Sequence, residues 1–157
     1  MKRLMYFIIV SFFAAGCATA PIELRQSQQV IDLPGMSRDQ IYNKSNQWIA
    51  ETFGSANAVI QYKDQKEGKI IGNIISTSLK FMMTYSFNST MSIDIKDGRA
   101  RLSFQAHDVS ISSAGGVPTT RGIYGEAEAE MARESYTSII ESYRSYLLKK
   151  TKKDDNW

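Results

Sequence analysis

Ile93-Asp94-Ile95-Lys96-Asp97-Gly98-Arg99-Ala100-Arg101-Leu102-Ser103-Phe104 is the stretch that decides the fold. On either side of Asp97-Gly98 the apolar residues fall on every second position: Ile93 and Ile95 before it, Ala100, Leu102 and Phe104 after it. A strand points successive side chains to opposite faces, and Asp-Gly between two alternating runs is a strong hairpin signal. This segment therefore reads as an antiparallel pair with one buried and one wet face. The same parity runs back through Met91, Phe87, Tyr85 and Met83, with Ser89 the exception. The returning strand reads as Arg99 to Val109, where Ala100, Leu102, Phe104 and Ala106 alternate with Arg101, Ser103, Gln105 and His107.

Toward the amino end, Lys69 to Ile75 and Ala58 to Tyr62 read as two further strands, joined by the charged turn Lys63 to Gly68. Ahead of them lies a helix starting at Arg38. Ser37 can cap it while Gln40 reaches back, and Met36 and Ile41 stand where a hydrophobic staple would place them. Ile41, Trp48, Ile49 and Phe53, with small Ser45 between, form its apolar stripe, and Gly54 supplies the stop. Val30 to Leu33 reads as a short first strand that ends at Pro34-Gly35. Toward the carboxyl end, Ser110 to Gly125 is rich in breakers and reads as a long mobile loop. Glu126 to Lys150 then reads as a helix whose apolar stripe is Ala129, Ala132, Tyr136, Ile139, Ile140, Tyr143 and Leu147. The expected fold is α+β, a curved antiparallel sheet with helices packed on one face, in the order β-α-β-β-β-β-α.

The amino terminus sets an address. Lys2 and Arg3 precede Leu4 to Ala15, about a dozen almost wholly apolar residues, which is the layout of a signal peptide and too short for a membrane span. The run ends in Ala14-Ala15-Gly16-Cys17, with small residues beside the cut and a thiol just after it, the one cysteine in the chain. This resembles the lipobox of bacterial lipoproteins, commonly Leu-(Ala/Ser)-(Gly/Ala)-Cys, with Ala14 in the place where Leu is commonest. The resemblance implies cleavage between Gly16 and Cys17, lipidation of Cys17, and membrane attachment through that lipid. The rival reading is a plain secretory cut after Ala18-Thr19-Ala20. Ala18 in place of Asp favours the outer membrane under the sorting rule of enteric bacteria, on its periplasmic side. Lipid chains contribute about 0.8 kcal/mol per buried methylene, so two or three of them anchor stably.

Cleavage changes what the charge means. Of 19 basic residues, Lys2 and Arg3 leave with the signal peptide, so 17 face 16 acidic ones, and the precursor's +3 carries no footprint of nucleic-acid binding. With Cys17 lipidated, no disulfide is available and the domain must fold by its core alone. The expected organisation is a signal peptide over residues 1–16, lipidated Cys17 and a tether over 17–29, one domain over 30–150 and a polar tail over 151–157.

The middle of the chain resembles a family of bacterial envelope proteins carrying a domain of unknown function with a TBP-like fold. The likeness is carried by Ser37-Arg38-Asp39-Gln40-Ile41-Tyr42, Trp48-Ile49-Ala50-Glu51-Thr52-Phe53, Val59-Ile60-Gln61-Tyr62-Lys63-Asp64, Gly68-Lys69-Ile70-Ile71-Gly72 and Ile93 to Arg101. It implies a TBP-like, helix-grip-like arrangement of the same order. It brings no catalytic motif, and DNA binding does not follow from a shape.

Single residues add little chemistry. His107 is the only histidine and alternates to the polar face of its strand. Asp108 would point to the opposite face if that strand stays regular. Without a second histidine or a free cysteine, no metal set stands out, and no cofactor is expected. Glu126, Glu128, Glu130 and Glu134 sit where a helix start favours carboxylates. Lys149, Lys150, Lys152 and Lys153 would each gain roughly 1 kcal/mol at an anionic membrane surface, but Asp154 and Asp155 partly cancel them. Trp48, Tyr136 and Tyr143 read as core, and Tyr146, off the main stripe, as the best candidate for surface contact.

These features lead to the expectation of a non-enzymatic outer-membrane lipoprotein whose domain binds an envelope protein, peptide or glycan. Two alternatives are an enzyme acting on cell-wall or lipid substrates and a self-associating structural lipoprotein. An enzyme would need a deep pocket gathering two or more of His107, Asp108, Arg121 and Glu126.

Overall fold

The computed structural model describes residues 22–54 and 56–149. The segment read as a signal peptide (1–16), Cys17, the first part of the expected tether, residue 150 and the tail expected over 151–157 lie outside the described residues.

The sheet forms around the predicted hairpin. Strands β4 (Met83–Lys96) and β5 (Arg99–Ser113) pair from Lys96↔Arg99 outward, with Asp97-Gly98 as the two-residue connection. Gly98 takes the left-handed φ of 74° that a side chain disfavours. Asp97 has a second use: its Oδ1 accepts the N–H of Arg38 at 2.7 Å, at the start of helix α1 (Arg38–Phe53). The hairpin thus caps a helix that lies 59 positions away in sequence. The predicted capping box is present, Ser37 Oγ accepting from Gln40 N at 3.3 Å and Gln40 Oε1 accepting from Ser37 N at 2.9 Å.

Beyond β4 lie β3 (Lys69–Lys80) and edge strand β2 (Ile60–Asp64), and on the other side of β5 lies β1 (Gln26–Asp32). The sheet is open and antiparallel throughout, in the order β1-β5-β4-β3-β2. The turn before β3 brings backbones close. Gly68 has φ 68°, its carbonyl accepts Ile95 N–H at 2.7 Å, and a Cβ there would stand 2.3 Å from the Ile95 oxygen.

Several boundaries differ from the sequence reading, and β3, expected to end at Ile75, runs on to Lys80. The tether expected over 17–29 is structured from Ile22, as a 3-10 turn Ile22–Arg25 followed by β1 from Gln26. Its glutamines and serine show no alternation because an edge strand is held by backbone pairing, here Gln26↔Gln105 to Asp32↔Arg99. The strand expected at Ala58–Tyr62 begins at Ile60, after a helical turn α2 (Ala56–Val59). The segment expected as a mobile loop, Ser110–Gly125, is largely ordered: β5 continues to Ser113, and β6 (Thr119–Gly122) pairs back onto Ile111 to Asp108. β6 therefore continues β1 along the same edge of β5.

Helices α1 and α3 (Glu126–Leu148) cover one face of the sheet. Phe87, Met91, Ile93 and Ile95 of β4 and Ala100, Leu102, Phe104 and Ala106 of β5 are buried in one core with Trp48, Tyr136 and Tyr143. Phe104 stacks on Tyr136 with ring centroids 4.6 Å apart and planes 12° from parallel. Ser89, the exception to the apolar parity, is buried on this same face and shares a 2.6 Å hydrogen bond with the Tyr136 hydroxyl. Tyr143 is matched in the same way by Ser45 at 2.8 Å. A buried hydroxyl without a partner is costly, so the serines inside these stripes are set by the tyrosines opposite. Burial pushes both phenols above their ordinary pKa, which keeps them neutral hydrogen-bonding groups.

Candidate functional site

The helix-free face of the sheet is lined mainly by polar side chains. Along β4 it presents Ser86, Asn88, Thr90, Ser92 and Asp94, and along β5 Arg99, Arg101, Ser103 and Gln105. Gln26 and Gln28 of β1 stand opposite Gln105 and Ser103 and extend the rows.

A β-bulge interrupts this face at its centre. Asn88 faces Asp108 while Ser89 faces Ala106, so His107 is an extra residue in β5. The inserted residue shifts the side-chain parity, which is why Ala106 and Val109 are both buried. His107 and Asp108 consequently lie on the same open face, contrary to the regular strand expected from the alternation. His107 Nε2 lies 2.7 Å from Thr90 Oγ1, and Asn88 Nδ2 donates to Asp108 Oδ1. With Asn73 and Ile75, the residues Asn88, His107 and Asp108 edge an open depression of about 390 Å³. Thr90 borders a second, of about 530 Å³, lined by Gln26, Gln28, Ser92, Arg101 and Gln105. The Thr90–His107 contact joins the two into one polar floor.

That floor offers hydroxyl, amide, imidazole, carboxylate and guanidinium groups to a ligand laid across it. Asp94 is paired with Arg101 at 3.0 Å and lies 3.7 Å from Lys69. The Thr90–His107 distance suits proton transfer, but a nucleophile–base pair needs a third group orienting the base. Asp108 is held by Asn88 instead. Asn73, Asn88 and Thr90 were not singled out from sequence, although their parity with Arg101 and Gln105 through the hairpin register was the available signal.

The remaining candidates sit elsewhere. Arg121 pairs in register with buried Val109 and bonds Glu128 of α3 through both guanidinium nitrogens, at 3.0 and 2.5 Å. The bond to Arg121 holds the Glu128 carboxyl below the ordinary carboxylate range and raises the guanidinium in turn. Glu128 Oε2 also accepts Tyr124 N–H at 3.2 Å, ahead of the helix. Glu130 pairs with Arg133 and Glu134 with Lys80, so three of the four acidic residues are tied to cations. The sheet stands between this helix-side group and His107 with Asp108. Among the described residues, no set of three or more His, Cys, Asp or Glu could hold a metal. Tyr146, expected as a surface contact, is half-buried against the core, and its hydroxyl donates to Glu51 Oε1 of α1 at 3.1 Å. Its use is to tie the two helices together.

An open antiparallel sheet with two long helices on one face and, among the described residues, no helix on the other is an α+β arrangement of the TBP-like class. The chain belongs to the domain of unknown function family DUF4468 with TBP-like fold, whose model matches residues 28–109, just over half of the sequence. Two solved structures share the fold. One is a TBP-like protein from Parabacteroides distasonis ATCC 8503, with TM-score 0.61 and 11% identity, covering 78% of this chain and 91% of that one. The other is a DUF4468 family protein from Bacteroides ovatus ATCC 8483, with TM-score 0.51 and 14% identity, covering 82% and 91%. A search of curated proteins finds no match.

Proposed function

We propose that this protein is an outer-membrane lipoprotein, attached through lipid on Cys17, whose domain is a non-catalytic binding module for a polar envelope ligand. The ligand, a glycan, peptide or protein surface, lies across the helix-free face. The observation that carries the reading is the polar floor around the His107 bulge, where Thr90 of one depression meets His107 of its neighbour at 2.7 Å. Open, hydroxyl- and amide-lined surfaces suit recognition by many hydrogen bonds, and a bulge at the centre of a sheet re-aims side chains. The position of Cys17 at the end of a signal-like segment supports the envelope address.

A photo-crosslinking residue placed at Gln105 in the full-length chain tests the binding face in the native envelope. Adducts are expected from Gln105 and not from the same probe at Arg144, exposed on α3. Equal adducts from both positions, or adducts from Arg144 alone, would remove the sheet face as the binding surface.

A further inference from the structure

The hairpin joining β3 to β4 turns through two residues, Phe81 and Met82, both at positive φ, 53° and 62°. Two-residue turns with φ > 0 at both positions normally hold Asn-Gly or Gly-Gly, because the left-handed region crowds a Cβ against the following carbonyl. Here they hold two large apolar side chains, each 87% exposed. Leu79 beside them is 75% exposed, and Val117 in the β5–β6 loop is 91% exposed. The two loops share one end of the sheet, because Met83 pairs with Ser113 just before the β5–β6 turn. Burial in the domain does not account for these side chains, and backbone preference opposes them. A strained turn that displays its side chains points to a role at the tip.

The direction of the chain says what covers it. β1 runs antiparallel to β5 with Gln26 opposite Gln105 and Asp32 opposite Arg99. Traced backward, β1 thus runs toward the end that carries the tip and stops level with the middle of β5, where the turn Ile22–Arg25 precedes it. Cys17 to Pro21 are five residues, and such a length spans at most roughly 17 Å. Met83, opposite Ser113, lies eight residues of β5 beyond Gln105, roughly 26 Å, so the turn Ile22–Arg25 and an extended tether together let a lipid on Cys17 and the tip reach one bilayer surface. A protein partner fits less well, since a stable interface takes about 20–30 residues a side and a hairpin tip supplies a handful.

We propose that the Leu79–Met83 tip, with Val117, inserts into the boundary between headgroups and acyl chains of the membrane that anchors the protein. This rests on the reading of Cys17 as the lipidated residue. Apolar side chains leave water for that boundary as they would for a core, and the lipid and the tip together make two contacts that orient the domain. The polar floor, which extends from the tip's end of the sheet toward the Asp97-Gly98 turn, then stands away from the bilayer.

The test uses the full-length protein, purified with its lipid and reconstituted in phosphatidylethanolamine–phosphatidylglycerol vesicles. With Cys17 occupied, an environment-sensitive fluorophore goes uniquely onto Met82→Cys or, at the opposite end of the sheet, Lys66→Cys. The Met82 probe is expected to shift to the blue and to lose emission to brominated acyl chains, while the Lys66 probe loses emission only to aqueous iodide. A Val117→Cys probe should follow Met82, and should regain iodide access when Phe81→Asn and Met82→Gly are introduced together. Iodide access at Met82 equal to that at Lys66 would overturn the proposal, as would protection that vanishes when the protein is diluted in lipid, which would assign the tip to a second copy. Mass analysis of the same sample separates the two levels: a bare Cys17 thiol refutes the anchor, whereas a lipidated chain with a water-exposed tip refutes only the insertion.

Discussion

Phe104→Ala is expected to cost about 3–5 kcal/mol of folding stability, the usual range for deleting a buried phenylalanine. Phe104 is 1% exposed at the centre of β5, where its ring stacks on Tyr136 of α3. Truncation opens a cavity where the hairpin that decides the fold packs against the last helix. It also removes an aromatic pair, which contributes about 0.5–1.5 kcal/mol beyond area alone. A domain of this size has roughly 5–15 kcal/mol in total, so thermal unfolding should move down by roughly 10 °C or more. Tyr136→Phe is the matched control. It keeps the stack and removes only the hydroxyl bonded to Ser89, whose Oγ retains the Phe87 carbonyl at 3.3 Å, so a loss of about 1–2 kcal/mol is expected. Denaturant unfolding of the two variants checks the order, and a larger loss for Tyr136→Phe than for Phe104→Ala would mean the stack does not hold the sheet to α3.

The second large effect has the opposite sign. Replacing Phe81 by Asn and Met82 by Gly together is expected to stabilise the domain by about 1–2 kcal/mol. Each left-handed non-glycine residue costs roughly 1–2 kcal/mol, and Asn-Gly suits φ > 0 at both positions. Glycine's extra freedom in the unfolded chain, which destabilises by about 0.5–1 kcal/mol, offsets part of the gain. Almost no burial is lost, since both side chains are 87% exposed. Urea unfolding reads the difference. A double variant less stable than the parent would show that Phe81 and Met82 pack onto the domain after all.

These two sites also show how far the fold could be read in advance. Phe104 belongs to a strict alternation around Asp97-Gly98, and period two with a turn dipeptide determines register, faces and hairpin together. Ser37 and Gln40 were equally legible because a capping box is local. Phe81-Met82 was not, because Leu79 to Met83 carries no Gly, Asn, Asp or Pro to mark a turn, and the strand readings stop at Ile75 and resume at Met83. The His107 bulge was hidden for another reason. It exists only as a mismatch between Asn88-Ser89 on one strand and Ala106-His107-Asp108 on the next, and a single-strand pattern cannot report it. The candidate site depends on that bulge, so the individual polar residues were visible while their grouping was not. β6 was masked by the breakers around Thr119 to Gly122, which mark the tips of its hairpin and say nothing about the four residues between them.

Most directly, the lipid anchor is tested by comparing the parent with Cys17→Ala in bacteria fed labelled palmitate, followed by separation of inner-membrane, outer-membrane and soluble fractions. The parent should carry the label and sediment with the outer membrane, and Cys17→Ala should lose the label and leave that fraction. A Cys17→Ala protein that still takes up palmitate, or an unlabelled parent recovered as a soluble protein, would contradict the anchored domain and with it the proposed place of the polar face above the membrane.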